Sequence, residues 1–302
     1  MDLDTKHASR QGDRLGRASA LVKSYSELAK PRVTWLILMS TGVGYFFGAK
    51  NGWSWITLVH ALIGTGLMSS GTFALNQWYE RDADAKMRRT QRRPIPSGRI
   101  SAPRALWFGI LLAALGFAEL SLAVNLLSGL LGLITLASYQ FLYTPMKQHS
   151  KHSTTIGAFP GAMPPLIGYA AASGHLTLEA WVLYAILFLW QFPHFYAIAW
   201  LYREDYARAG IRMLPVVEPD GISTARQILL YSLALIPISL APKFLSMSGN
   251  LYLIGALVAG LFFLYACARV TFNRTRVQAR RVLLASVVYL PVLYGLMLFD
   301  KP

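Results

Sequence analysis

Nine long apolar runs, each bounded by charged or turn-forming residues, leave this chain one class of solvent to fold in. They lie near residues 33–49, 53–78, 105–123, 126–145, 155–173, 178–200, 227–246, 250–272 and 282–299. A bilayer core about 30 Å thick takes roughly 20 apolar residues of helix to cross. Inside it, a helix satisfies its own backbone hydrogen bonds. The expected fold is therefore all-α, a polytopic integral membrane protein with about nine transmembrane helices over residues 33–300, preceded by an N-terminal tail over 1–32. Of the 302 residues, 54% are hydrophobic and 14% charged, which excludes an ordinary soluble domain.

The basic residues are sorted by side. The tail holds 7 Lys and Arg, and the loops after spans two, four, six and eight, with their flanking turns, hold 8, 2, 4 and 5. Only Lys50, Lys243 and Lys301 fall on the other side. By the positive-inside rule the N-terminus is cytoplasmic. A formal charge of +15 would suit nucleic acid, but the cations lie between apolar runs rather than along one soluble face. The lipid bilayer, with its anionic headgroups, is the expected partner, and no nucleic acid. The single cysteine, Cys267, sits in an apolar run and excludes a disulfide framework. The first thirty residues carry Lys6, Arg10, Arg14, Arg17 and Lys23 without an apolar core, so no cleaved signal peptide is expected.

Carboxylates concentrate in two cytoplasmic loops. The first follows span two and carries Asn76, Glu80 and Asp84 at i, i+4 and i+8. If the helix continues, this spacing lays them on one stripe about 12 Å long. Oxygen ligands on one face suit Mg²⁺, which takes one or two carboxylates together with waters and substrate phosphates. Arg88, Arg89, Arg92, Arg93 and Arg99 follow at once, and acids beside dense cations suit a metal-bridged diphosphate. On charge alone the loop reads first as a topogenic basic segment whose acids form solvated ion pairs; the regular Asn-x₃-Glu-x₃-Asp spacing at the membrane boundary, where carboxylates are costly unless used, favours the metal site. The second loop, after span six, carries Glu204 and Asp205 and can face the first. Two such clusters could neutralise the leaving group of an allylic diphosphate. Lys147, at the end of span four, is a further diphosphate contact or an interfacial anchor.

Along nearly its whole length the chain resembles the UbiA-type intramembrane prenyltransferases, and within them the haem-modifying branch. Their first motif, Asn-Asp-x-x-Asp-x-x-x-Asp, reads here Asn76-Gln77-x-x-Glu80-x-x-x-Asp84, followed by Met87, Arg89-Thr90 and Arg93-Pro94. Tyr143-Thr144-Pro145-x-Lys147, Gly161-Ala162-x-Pro164-Pro165 and Gln191-Phe192-Pro193-His194-Phe195 also match that branch. The second motif departs: Tyr202 and Tyr206 replace the usual aspartates, leaving Glu204 and Asp205 to supply charge, with Asp205 the stronger candidate.

The resemblance implies helices ringed around a central cavity in an inner (plasma) membrane, with the active site facing the cytoplasm. It implies Mg²⁺ held by Asn76, Glu80, Asp84, Glu204 and Asp205, and a diphosphate held by Arg88, Arg89, Arg92, Arg93 and Lys147. It also implies transfer of farnesyl from farnesyl diphosphate to a vinyl group of haem b, with a haem A synthase or oxidase assembly proteins as partners. His194, near the cytoplasmic end of span six, is a packing residue on sequence grounds and a haem-binding residue on the resemblance. Trp78, Trp190, Phe195 and Tyr196 are candidate shields for an allylic cation, or interfacial anchors. Three rivals are a related enzyme acting on a quinone precursor or chlorophyllide, a secondary transporter, and a non-catalytic haem chaperone.

Overall fold

The computed structural model describes residues 16, 18–50 and 52–302. Most of the tail's basic residues lie outside them. Secondary structure among the described residues is helical, as a lipid-solvated backbone requires. A short helix α1 (18–29) leads into α2 (Pro31–Gly48), α3 (Trp55–Tyr79) and the single-turn α4 (Arg81–Lys86). Then come α5 (Ala102–Ala118), α6 (Leu126–Ala137), α7 (Thr144–His149), α8 (Ser153–Gly161) and α9 (Pro164–Ser173). The remainder is α10 (Leu178–Leu201), α11 (Arg203–Arg208), α12 (Leu214–Val217), α13 (Ile222–Phe244), α14 (Asn250–Phe272) and α15 (Arg276–Phe299). Two π-helical stretches extend these rods: Glu119–Val124 prolongs α5, and Ser138–Tyr143 joins α6 to α7.

Among the described residues, seven helical rods are long and apolar enough to cross a membrane. The other two expected spans correspond to α2 and to the pair α8 and α9. α2 is 18 residues long. The second pair is broken at Ala162 and Met163, between Pro160 inside α8 and Pro164 at the start of α9. The expected tail is helical over 18–29, where Tyr25 and Leu28 pack with Trp78 at the end of α3, Ile95 and Ile100 of the following loop, and Ala105 and Phe108 of α5.

Sequence signals fix several rod ends. Ser54 caps α3 by accepting from the Thr57 amide at 3.2 Å, and Asn125 caps α6 by accepting from Ser128 N at 2.9 Å. Packing between rods relies on small residues, since lipid offers apolar side chains no reason to leave it. A methyl on Gly168 of α9 would collide with the Thr41 carbonyl of α2, and one on Gly71 of α3 would sit 2.6 Å from Ala113 N of α5. The rods adjoin in the order α5, α3, α2, α9, α10 and α13, and α10, α13, α14 and α15 close a second group. Outward faces stay apolar, with Trp107, Leu122, Phe141 and Phe272 all more than two-thirds exposed, as a lipid-facing belt requires.

Candidate active site

The chemistry-bearing side chains meet where α3 leaves the membrane. α3 stops at Tyr79, yet i to i+4 hydrogen bonds continue across the corner: Glu80 N donates to Asn76 O at 2.9 Å and Asp84 N to Glu80 O at 2.8 Å. Asn76, Glu80 and Asp84 therefore keep one face. All three are buried, Asp84 completely. Met87 then turns extended (φ −96°, ψ 130°), so the arginines beyond it fan out.

Each acid has its own cation, one from α7 and one from the loop that follows α4. Lys147 Nζ lies 2.7 Å from Glu80 Oε1, and Arg93 Nη1 lies 2.6 Å from Asp84 Oδ2. Asn76 Nδ2 donates to Thr144 Oγ1 at 3.2 Å, tying the stripe to the helix that carries Lys147. Thr90 Oγ1 donates to the Asp84 carbonyl at 2.8 Å and closes the basic loop over the stripe. Burial alone would raise the Glu80 carboxyl. The Lys147 ammonium, joined by Lys30 and Arg93, outweighs that and holds it below the usual carboxylate range.

Asp205 arrives from α11, itself buried. Its carboxylate accepts from the Arg88 and Arg89 amides, each at 3.4 Å, and pairs with Arg208. The second loop is thus tied to the first. Glu204, one residue away, is exposed. The expected diphosphate cations divide: Arg93 and Lys147 join the stripe, while Arg88 and Arg89 line a shallow cavity of about 430 Å³ with Tyr202, Asp205, Arg208 and Arg276. Arg89 lies between the Tyr202 and Tyr206 rings, at 5.0 and 5.7 Å. Arg92 is exposed and accepts at its carbonyl from Arg99 Nη2 at 2.7 Å.

Among the described residues no three His, Cys, Asp or Glu side chains converge as a metal cage. The donor set nevertheless fits a hard cation that keeps waters and shares a substrate phosphate. Asp84 Oδ1 is buried without a hydrogen-bond partner among the described residues, and a free carboxylate oxygen in that position is an available ligand atom.

His194 is held apart from the acids. Its Nδ1 lies 2.8 Å from Ser286 Oγ on α15, and its ring stacks on Trp190 at 4.7 Å. Ser286 uses its one hydroxyl proton on Leu283 O at 2.7 Å, so in the neutral ring Nδ1 donates to Ser286 Oγ. Nε2 is left with its lone pair. Trp190 is anchored in the same seam, its Nε1 donating to Ser286 O at 2.8 Å, and Trp78 carries Arg81 on its ring at 5.5 Å.

The aromatic faces that border the acids come instead from residues the sequence did not single out for that role. Tyr139 and Tyr143 stand at 4.9 Å in an edge arrangement, with the Lys147 ammonium 4.4 Å from the Tyr143 centroid and 5.9 Å from that of Tyr139. The i, i+4, i+8 spacing that ends on Lys147 was the available signal. Phe73 meets Tyr139 edge-on at 6.4 Å and carries the Lys30 ammonium at 4.9 Å. That ammonium is pushed down to about 7 by burial and then by Arg93 and Lys147, against the pull of Glu80 and Asp84.

The profile of the UbiA prenyltransferase family matches residues 37–289. Among similar proteins, one from Solibacter usitatus (strain Ellin6076), named protoheme IX farnesyltransferase, is 64% identical over 93% of this chain and 99% of its own length. A protein of the same name from Koribacter versatilis (strain Ellin345) is 49% identical, over 94% of each chain. Among solved structures, a digeranylgeranylglyceryl phosphate synthase superposes with a TM-score of 0.78 at 17% identity, covering 93% of this chain and 98% of that one. A UbiA homologue from Archaeoglobus fulgidus bound to GPP and Mg²⁺ gives 0.61 at 19% identity, covering 91% of this chain and 99% of its own. At such identities these two structures speak for the fold.

Proposed function

The chain belongs to the UbiA prenyltransferase family, and from that premise we propose that it transfers the farnesyl group of farnesyl diphosphate to a vinyl group of haem b, with addition of water, giving haem O and diphosphate. The observation that carries the donor half is the buried row Asn76, Glu80 and Asp84, balanced by Lys147 and Arg93 and left with one unpartnered carboxylate oxygen. Likeness to haem farnesyltransferases over more than nine-tenths of the chain supports the acceptor.

Mg²⁺ held by Asn76, Glu80, Asp84 and Asp205 would neutralise the leaving diphosphate. The chain's own residues do the rest. Lys147 and Arg93 turn from their carboxylates toward phosphate oxygens, charge-assisted donors already at the place where negative charge develops. As the allylic carbon–oxygen bond breaks, its electron pair leaves with the diphosphate. The Tyr139 and Tyr143 faces, which already hold an ammonium, shield the allylic cation. The vinyl π pair forms the new carbon–carbon bond, and water adds to the resulting cation with loss of a proton. His194, through Nε2, contacts the haem. Asp205 joins the two loops over the mouth of the site, and Glu204 is the weaker ligand of the pair. With the basic loops inside, the site faces the cytoplasm of an inner (plasma) membrane, where a haem A synthase or an oxidase assembly protein would take the product.

Purified chain in lipid nanodiscs, given haem b, farnesyl diphosphate and Mg²⁺, should yield a haem heavier by one farnesyl and one hydroxyl group in mass spectrometry. No farnesylated haem would overturn the proposal. Diphosphate release only when a quinone precursor or chlorophyllide replaces haem would assign the enzyme a different acceptor.

A further inference from the structure

Beside the stripe, Lys147 is matched to Glu80 and Arg93 to Asp84, and at its tie to the second loop Arg208 is matched to Asp205, where Arg88 and Arg89 also stand. Lys30 lies on the stripe side. Among the described residues it has no carboxylate partner; its ammonium rests on the Phe73 ring 4.9 Å from the centroid, in the field of Glu80, Asp84, Arg93 and Lys147. A cation packed on an aromatic face, where the neighbouring carboxylates are already paired with other cations, is a binding group for an incoming anion.

The backbone is bent to put it there. Lys30 lies at φ 48°, ψ 61°, a left-handed conformation that L residues avoid and that glycine takes without penalty. The corner arises because Pro31 occupies the first turn of α2 and keeps the preceding residue out of the right-handed helical region. Gln77 Nε2 then pins it to α3 by donating to Leu28 O at 2.9 Å. Gln77 is the neighbour of Asn76, so the corner and the stripe are registered through one residue. A purely structural corner would be better served by glycine or asparagine. A lysine there is explained by what its ammonium meets.

We infer that Lys30 is a diphosphate-binding residue, which leaves the Phe73 face to donate hydrogen bonds to the phosphate oxygens of the prenyl donor. The electron pair of the broken carbon–oxygen bond goes to the diphosphate, and Lys30 in its protonated form supplies charge and hydrogen bonds to that leaving group. This inference rests on the reading of the site as a prenyl diphosphate site.

The test is calorimetric binding of inorganic diphosphate with Mg²⁺ to the full chain in nanodiscs, for wild type, Lys30→Gly, Lys30→Asn and Lys30→Arg. Glycine and asparagine suit the left-handed corner, so these variants keep the fold while losing the cation. The expected result is affinity weakened roughly tenfold to a hundredfold in Lys30→Gly and Lys30→Asn, and near wild type in Lys30→Arg. The thermal midpoint and the haem difference spectrum should stay at wild-type values, and KM for farnesyl diphosphate should rise with the loss of affinity. Wild-type affinity in both Lys30→Gly and Lys30→Asn would overturn the inference while leaving the donor reading standing. A wild-type chain that binds no diphosphate at all would overturn both.

Discussion

Replacing Lys147 by methionine removes the ammonium 2.7 Å from Glu80 Oε1 and keeps most of the side chain's volume. The side chains are only 13% and 9% exposed, so the Glu80 carboxylate left behind is shielded from water. Removing one partner of a buried pair costs about 3–5 kcal/mol. Lys30 and Arg93 still face Glu80, which puts the cost at the low end, about 3 kcal/mol. Glu80→Gln is milder, about 1–2 kcal/mol, because the ammonium keeps the Tyr139 and Tyr143 faces. The double variant Glu80→Gln/Lys147→Met removes both charges and should lie within about 1 kcal/mol of wild type. The coupling is then about 3 kcal/mol. It is read from denaturant unfolding of the four proteins at fixed lipid composition. Additivity within about 0.5 kcal/mol would refute the pairing. The double variant should recover stability without recovering turnover, because both groups serve the diphosphate. Lys147 outweighs burial at Glu80, so the coupling is fully present above the usual carboxylate pKa of about 4.3 and is lost as pH falls through the lower folded value.

Two further outcomes follow from the same geometry. Asp205→Asn should lower turnover by about 10²–10³, since its carboxylate joins the two loops, whereas Glu204→Gln, at an exposed position, should stay within about twofold of wild type; equal losses would remove the distinction between them. Gly168→Ala drives a methyl into the Thr41 carbonyl and should destabilise the α2–α9 contact by about 2–3 kcal/mol, seen as a lower unfolding midpoint; an unchanged midpoint would mean the two helices do not approach as closely as described.

The apolar runs marked the helices because a lipid-solvated backbone has few alternatives, and the spacing of Asn76, Glu80 and Asp84 marked the stripe because helical hydrogen bonds persist across the corner at Glu80. What depended on contacts distant in sequence was hidden. Nothing local to Lys147 or Arg93 says that each is matched to a particular acid, 67 and 9 residues away. The basic loop reads as one cluster, but the extended backbone at Met87 sends Arg88 and Arg89 toward Tyr202 and Tyr206 and leaves Arg93 with the stripe. Hydropathy carried the fifth span through Ala162 and Met163, where prolines on both sides break the rod. Lys30 looked like one more tail cation; its role follows from a left-handed corner that sequence periodicity does not report.

The central claim is that the stripe ending at Asp84 is the centre at which a prenyl diphosphate is ionised. It is tested most directly by single-turnover farnesyl transfer to haem b with Asp84→Asn, a variant that keeps shape and removes charge from the one acid that, among the described residues, has an unpartnered buried oxygen. The expected result is a rate lower by at least about 10² at saturating farnesyl diphosphate and Mg²⁺, with haem binding at wild-type strength. A rate within about twofold of wild type would contradict the account, because an interaction that acts only as the leaving group departs cannot be removed without lowering that rate.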